Sequence, residues 1–306
     1  MYNLDCNPDI EKHYTGHTGR ITGISFHPET NQVVSCSTDK SLIVRKINST
    51  RAYRFHAHND EVTDVNYAPS GEVFASASKD RTVKIWVPKI RAECLDFIPH
   101  QGTVRSIQFN PDGDKLLTSS DDKTIKLWMV CQRRFLMSFI GHTNWVKYAT
   151  FSPDGKLIVS CSDDKTIKIW DVVSNQCIKT FNEIKASFVD VEFHPHGIAI
   201  GAASTSGSIK IFDLKTGFLQ QCYDAHQGPV CKVRFHPNGK FMLTASQDST
   251  LKVLDLLEGR PIYTLNSHTG SVSAIAFSKE GDYFASGGSD CQLYIWKSNF
   301  DRECNI

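Results

Sequence analysis

The sequence predicts an all-β protein of seven repeats, each a four-stranded antiparallel sheet, closed into a ring. Three observations predict it. A period near 42 residues runs through almost the whole chain. Within each period, short segments alternate polar and apolar residues with a period of two. An N-terminal segment, Ile10 to Tyr14, has the character of the one strand that the last repeat lacks.

The period is read from a His at the front of each repeat: His17, His58, His100, His142, His226 and His268. The steps are 41, 42, 42, 84 and 42 residues, and the 84 holds a seventh repeat with Ile184 in the His slot. An Asp stands 22 residues past each His (Asp39, Asp80, Asp122, Asp164, Asp248, Asp290), and Ser206 takes that slot in the fifth repeat. Six residues further lies an aromatic slot: Arg45, Trp86, Trp128, Trp170, Phe212, Leu254, Trp296. Four residues before the Asp slot lies a small or hydroxyl residue: Ser35, Ser76, Thr118, Ser160, Ala202, Thr244, Ser286. A fixed period of this length marks a radial or solenoid repeat fold.

The strands follow in order. In the second repeat VTDVNYA, FASASK and TVKIWV alternate as half-buried strands do. Turns punctuate them at Pro69-Ser70-Gly71, Pro111-Asp112-Gly113, Pro153-Asp154-Gly155, Pro195-His196-Gly197 and Pro237-Asn238-Gly239. There Pro presets one turn dihedral and Gly accepts a positive φ. No stretch has a helical apolar period. Four strands in each of seven repeats give 28. The seventh repeat stops after its third strand at Trp296, so the N-terminal strand is expected to complete it and remove an unpaired edge. Residues 1–306 thus form one domain, with short tails at 1–8 and 298–306.

Composition excludes several function classes. The 34 Lys and Arg against 33 Asp and Glu give a formal charge of +1, which does not suit a dedicated nucleic-acid binder. No run of 18 apolar residues suggests a membrane span, and the first residues do not have the form of a signal peptide. Ten Cys scatter without a CxxC pair, so neither structural zinc nor a disulfide framework is expected. His194-Pro195-His196 has the look of a metal pair, but His27-Pro28 and His236-Pro237 fill the same repeat slot, which makes it turn chemistry. The doubled Asp in Ser120–Lys126 and Ser162–Lys168 lacks the further oxygens of a calcium site, and the first Asp of each pair is expected to cap the turn. Arg45, in a Trp slot, is expected at a solvated blade edge, with a partner contact as the alternative. No catalytic motif is present, so the chain is expected to be no enzyme and to need no cofactor or metal.

The GH…WD-like signature at this spacing resembles the WD40 β-propeller family, over about residues 9 to 297. The resemblance implies a seven-bladed propeller and a buried His–Ser/Thr–Asp–Trp tetrad per blade. Complete sets fall at His58-Ser76-Asp80-Trp86, His100-Thr118-Asp122-Trp128, His142-Ser160-Asp164-Trp170 and His268-Ser286-Asp290-Trp296. The first and sixth repeats lack the Trp, and the fifth has lost every member, so blade five is expected to be the least rigid. The resemblance also implies that partners bind on the rim of one face, where each loop enters an innermost strand. The slots there are Arg20, Glu61, Thr103, Trp145, Ser187, Pro229 and Ser271, followed two residues on by Thr22, Thr63, Arg105, Lys147, Val189, Cys231 and Ser273. Trp145 among Arg105, Lys147, Lys79 and Arg20 has the composition of an interface hot spot; a Trp packed on its neighbouring loop is the alternative.

More narrowly, Arg51–Phe55, Lys84–Pro88, Asn144–Val146, Ser249–Arg260, Phe284–Asp290 and Trp296–Asp301 resemble the proteome-of-centriole protein 1 family, whose pattern also has Leu at the slot of Leu254. That resemblance implies a cytoplasmic, cytoskeletal scaffold of centrioles and basal bodies, a monomeric propeller bound to the microtubule wall or its proteins, tubulin included. Members carry a C-terminal coiled coil, which this chain, ending at Ile306, is expected to lack. The runner-up is an adaptor that reads peptides or histone tails, such as a ubiquitin-ligase substrate receptor. Neither implies nucleic acid or membrane as a partner.

Overall fold

The computed structural model describes residues 8–49, 51–88 and 93–300, the Glu93 side chain excepted. Twenty-eight strands form seven four-stranded antiparallel sheets, and no helix occurs among the described residues. Blades one to six take residues 21–56, 62–97, 104–140, 146–182, 188–224 and 230–265. Blade seven takes residues 272–297 with the N-terminal strand Asp9–Tyr14 on its outer edge, Ile10 facing Trp296 and Tyr14 facing Leu293. Each innermost strand touches the innermost strands of both neighbouring blades, the first touching the seventh, so the ring closes.

Alternation builds this arrangement. In blade two, Val62, Val65 and Tyr67 turn into the seams while Thr63 and Asn66 stay partly open. One face of each blade packs on the facing side of the next, so the core is a set of inter-blade clusters. Val34, Cys36, Leu42 and Val44 of blade one meet Val62, Val65, Phe74 and Trp86 of blade two in one of them. The Pro-x-Gly turns adopt the expected geometry: Gly71, Gly113, Gly155, Gly197 and Gly239 have φ between 69 and 79°. Where His precedes the Pro, its ring ties two blades together. His194 Nδ1 accepts from the His196 N–H at 3.2 Å, and Nε2 donates to the Gly239 carbonyl of the next blade at 2.9 Å.

Two expectations need correction. The tails were placed at 1–8 and 298–306; residues 1–7 and 301–306 lie outside the described residues, but Pro8 and Ser298 are buried. Phe300 packs with ring centroids 5.4 Å from Phe241 and 5.6 Å from His236. Apolar burial docks this segment rather than freeing it. Arg45 does not sit on a solvated edge. Its Nη2 donates to the Thr15 carbonyl at 2.5 Å and its guanidinium lies 5.1 Å from the Tyr14 ring, because the closing strand covers it.

Candidate partner-binding face

The four Trp-containing sets assemble as braces. In blade four, His142 Nδ1 lies 2.8 Å from Asp164 and Nε2 lies 2.8 Å from Ser160, whose Oγ accepts from Trp170 Nε1 at 2.9 Å. His58, Ser76, Asp80 and Trp86 repeat this at 2.7 to 3.2 Å, as do His100, Thr118, Asp122 and Trp128 at 2.8 to 3.2 Å. His268, Ser286, Asp290 and Trp296 do so at 2.8 to 2.9 Å. Blades one and six keep the polar three: His17 with Asp39 and Ser35, His226 with Asp248 and Thr244. Burial alone would raise the Asp80, Asp122 and Asp164 carboxyls. Hydrogen bonds from the His ring and from the Thr two residues on outweigh it and hold all three well below the ordinary carboxylate range.

These braces fix the turn between the second and third strands. The residue after each Asp is left-handed although it is not Gly: Arg81, Lys123 and Lys165 have φ of 71, 71 and 65°. Such a conformation costs roughly 1–2 kcal/mol per residue. The Asp Oδ1, accepting from the Thr166 N–H at 2.9 Å and its hydroxyl at 2.7 Å in blade four, offsets it.

The rim on this side arises from a bulge. In all seven blades, the pairing of the first two strands slips by one residue at the second position of the innermost strand. The skipped residue has no ladder partner, and its side chain is free to serve the rim. In blades one, two and seven it is Thr22, Thr63 and Ser273, whose hydroxyls donate to the next blade's Val62, Val104 and Ile21 carbonyls at 2.5 to 2.6 Å. In blades three and four it is Arg105 and Lys147. Arg105 forms a fork with Asp121 at 2.8 and 2.7 Å, and Lys147 lies 2.7 Å from Asp163. The first Asp of each pair, expected only to cap its turn, anchors a rim cation instead.

Trp145 stands between these cations, 45 % exposed, with the Arg105 guanidinium 5.7 Å and the Lys147 ammonium 5.0 Å from its ring. Both cations are anchored by their Asp partners and lie within cation–π range of the ring, which keeps nearly half its surface in water. The other rim candidates lie apart from it. Glu61 and Lys79 pair with each other at 3.8 Å, and Arg20 is exposed. Thr103 is half-buried, with its carbonyl accepting from the Asp121 N–H at 3.0 Å. Among the described residues, no ion pair or ring contact joins these four to Trp145.

Sequence reasoning missed the wall of the central channel. Asp190 of blade five is fully buried and accepts from Lys232 at 3.1 Å, from Arg234 at 2.7 Å and from the Val233 N–H at 2.9 Å. Arg234 reaches on to donate to the Tyr148 hydroxyl of blade four at 2.8 Å, and Lys232 sits 3.8 Å over the Tyr148 ring. Glu192 accepts from the Phe235 N–H at 2.5 Å. Burial raises its carboxyl to about 7, against the pull of Arg234. The signal was present in the alternate residues of the innermost strands, where Tyr148, Asp190, Lys232 and Arg234 replace the small or uncharged Gly23, Ser25 and Ser106.

Comparison with known proteins agrees with this architecture. The family model "WD domain, G-beta repeat" matches residues 9–45, 49–87, 92–129, 133–171, 217–255 and 259–297, and passes over residues 172–216, which hold the first three strands of blade five. Among curated relatives, the chain is 32% identical over 77 residues to "Probable cytosolic iron-sulfur protein assembly protein Ciao1" of Culex quinquefasciatus, 24% of this chain and 23% of that protein. It is 35% identical over 72 residues to "Protein hir1" of Schizosaccharomyces pombe, 23% of this chain and 8% of that one. It is 47% identical over 56 residues to "POC1 centriolar protein homolog" of Drosophila melanogaster, 18% of this chain and 14% of that one. The matches span less than a quarter of the length of these relatives. With six repeats matched over most of its length and seven four-stranded blades in its ring, the chain belongs to the WD40 repeat family.

Proposed function

We propose that this propeller is a non-enzymatic interaction module of centrioles and basal bodies, binding the microtubule wall or its proteins through the Trp145 rim. The observation that carries the choice of face is Trp145, half-exposed between Arg105 and Lys147. An aromatic already immobilised by its neighbours loses little freedom on binding, and Trp and Arg dominate interface hot spots. The likeness to the centriolar relative supports the location. The test is expression of the tagged chain in ciliated cells, beside Trp145→Ala and Arg105→Ala. The expected result is a centriolar signal that falls by about tenfold in Trp145→Ala, the scale of losing one hot-spot residue. A diffuse or nuclear signal of the unaltered chain contradicts the centriolar reading. A short linear peptide captured on an array and lost on the same substitutions would favour the adaptor reading.

A further inference from the structure

The seams between blades are closed near one end by an apolar side chain that follows the third strand of a blade. Two residues past the aromatic slot, Ile47, Val130, Val172, Leu214 and Leu256 pack into five of these seams. In blade seven that slot is Ser298, and Phe300 packs into the blade six–seven seam instead. In blade two the slot is Pro88, and the seam between blades one and two is an open groove of about 620 Å³.

The groove has the walls of the seat that holds Phe300. That ring lies 5.4 Å from Phe241, 6.5 Å from Tyr263 and 6.2 Å from Phe284. Strand register identifies the counterparts. Tyr53 faces Val44 as Tyr263 faces Val253, and Phe74 faces Trp86 as Phe284 faces Trp296. Gln32 takes the place of Phe241, which widens the seat and gives it one polar wall. Among the described residues the charge at the groove is one-sided: Lys46 and Arg51 line it without a described Asp or Glu side chain, both are exposed, and neither joins an ion pair.

We propose that the groove between blades one and two is a second binding site, which takes an aromatic side chain from an acidic peptide segment of a protein partner. The ring would occupy the place that Phe300 fills two seams away, against Tyr53, Phe74 and Trp86, and flanking carboxylates would meet Lys46 and Arg51. The groove runs along the strands of a seam rather than over the rim that carries Trp145, so its failure leaves the rim reading intact.

The probe is a fluorescein-labelled peptide, Glu-Ser-Asn-Phe-Asp-Glu, titrated against the whole chain by anisotropy. Saturable binding is expected, lost when the Phe of the peptide becomes Ala. Lys46→Glu with Arg51→Glu, both at the surface, should weaken it about tenfold. Gln32→Phe with Pro88→Leu should abolish it by filling the groove, with circular dichroism and thermal unfolding reporting an intact fold. No binding up to about 1 mM peptide, or binding indifferent to the charge reversal, overturns the proposal. So does binding that appears only after Ile90→Ser. Ile90 lies outside the described residues, four positions past Trp86 as Phe300 is past Trp296, and that outcome would make it the occupant.

Discussion

Blades four and five share strand count, register and fold, yet they are held in different ways. Blade four has the His142–Asp164–Ser160–Trp170 brace near its rim. Blade five has Ile184, exposed, in the His slot and Ser206 in the Asp slot. Its turn is kept by Gly207, with φ of 86°, where blade four places Lys165. Without an Asp to offset a strained side chain, the position has a residue for which the conformation costs little. Glu183, next to the His slot, forms an ion pair with Lys210 of the third strand. Toward the channel the balance reverses: Asp190 ties blade five to blade six, and Arg234 continues to Tyr148. The difference teaches that a blade can lose every member of its brace when its innermost strand is fixed from the channel side.

The largest expected effect follows from that. Asp190→Ala leaves Lys232, 16 % exposed, without its carboxylate and Arg234, also 16 % exposed, with only Glu192 at 3.9 Å. Unfolding in urea should show a loss of about 3–5 kcal/mol, the scale of breaking a buried charge pair. A loss under about 1 kcal/mol would place blade five's support elsewhere. In blade four, Ser160→Ala removes the acceptor of Trp170 and the partner of His142, and should cost roughly 1–3 kcal/mol. Ala202→Ser, the matching change in blade five, should not stabilise but cost about 1–2 kcal/mol, since Ala202 is fully buried in an apolar cluster and no His or Trp is there to meet the hydroxyl.

Turn substitutions sharpen the contrast. Gly207→Lys puts a Cβ against the His226 carbonyl in a left-handed backbone and should cost about 2 kcal/mol or more. Lys165→Gly, the reverse change, should be neutral to within about 1 kcal/mol. The smallest effect is in pH. The Glu192 carboxyl is raised in the fold, so its contribution is full below the unfolded value of 4.5 and is lost as pH rises through about 7. The His17, His226 and His268 rings are lowered, chiefly by burial, so their contribution is present above 6.5 and declines as pH falls. In wild type the two oppose each other between pH 5 and 7, about the window set by these groups. Glu192→Gln removes one side, and its urea midpoint should fall more steeply on acidification than that of wild type.

The fold was legible because propeller blades repeat their signals. His, Asp and turn Gly recur at fixed offsets, and the missing strand of blade seven was matched by spare alternation at Ile10–Tyr14. The braces were legible from spacing once the family resemblance gave the slots a meaning. The rim was legible only in part. Trp145 stood out as a second Trp in one repeat, but its anchoring by Arg105–Asp121 and Lys147–Asp163 depends on a bulge that spacing does not announce. The channel network joins Tyr148, Asp190 and Arg234 across as many as 86 residues of sequence, and no local pattern signals such a contact. Arg45 and Phe300 were misread for a related reason: what covers them comes from the far end of the chain or from another blade.

The most direct test of the central claim is amide hydrogen exchange in the native protein, strand by strand. The account predicts that blade five's outer strand, Leu219–Asp224, exchanges faster than blade four's, Gln176–Asn182. Its innermost strand, Phe188–Phe193, should be as protected as Val146–Phe151 of blade four. Loss of protection through the whole of blade five at once, innermost strand included, would contradict it.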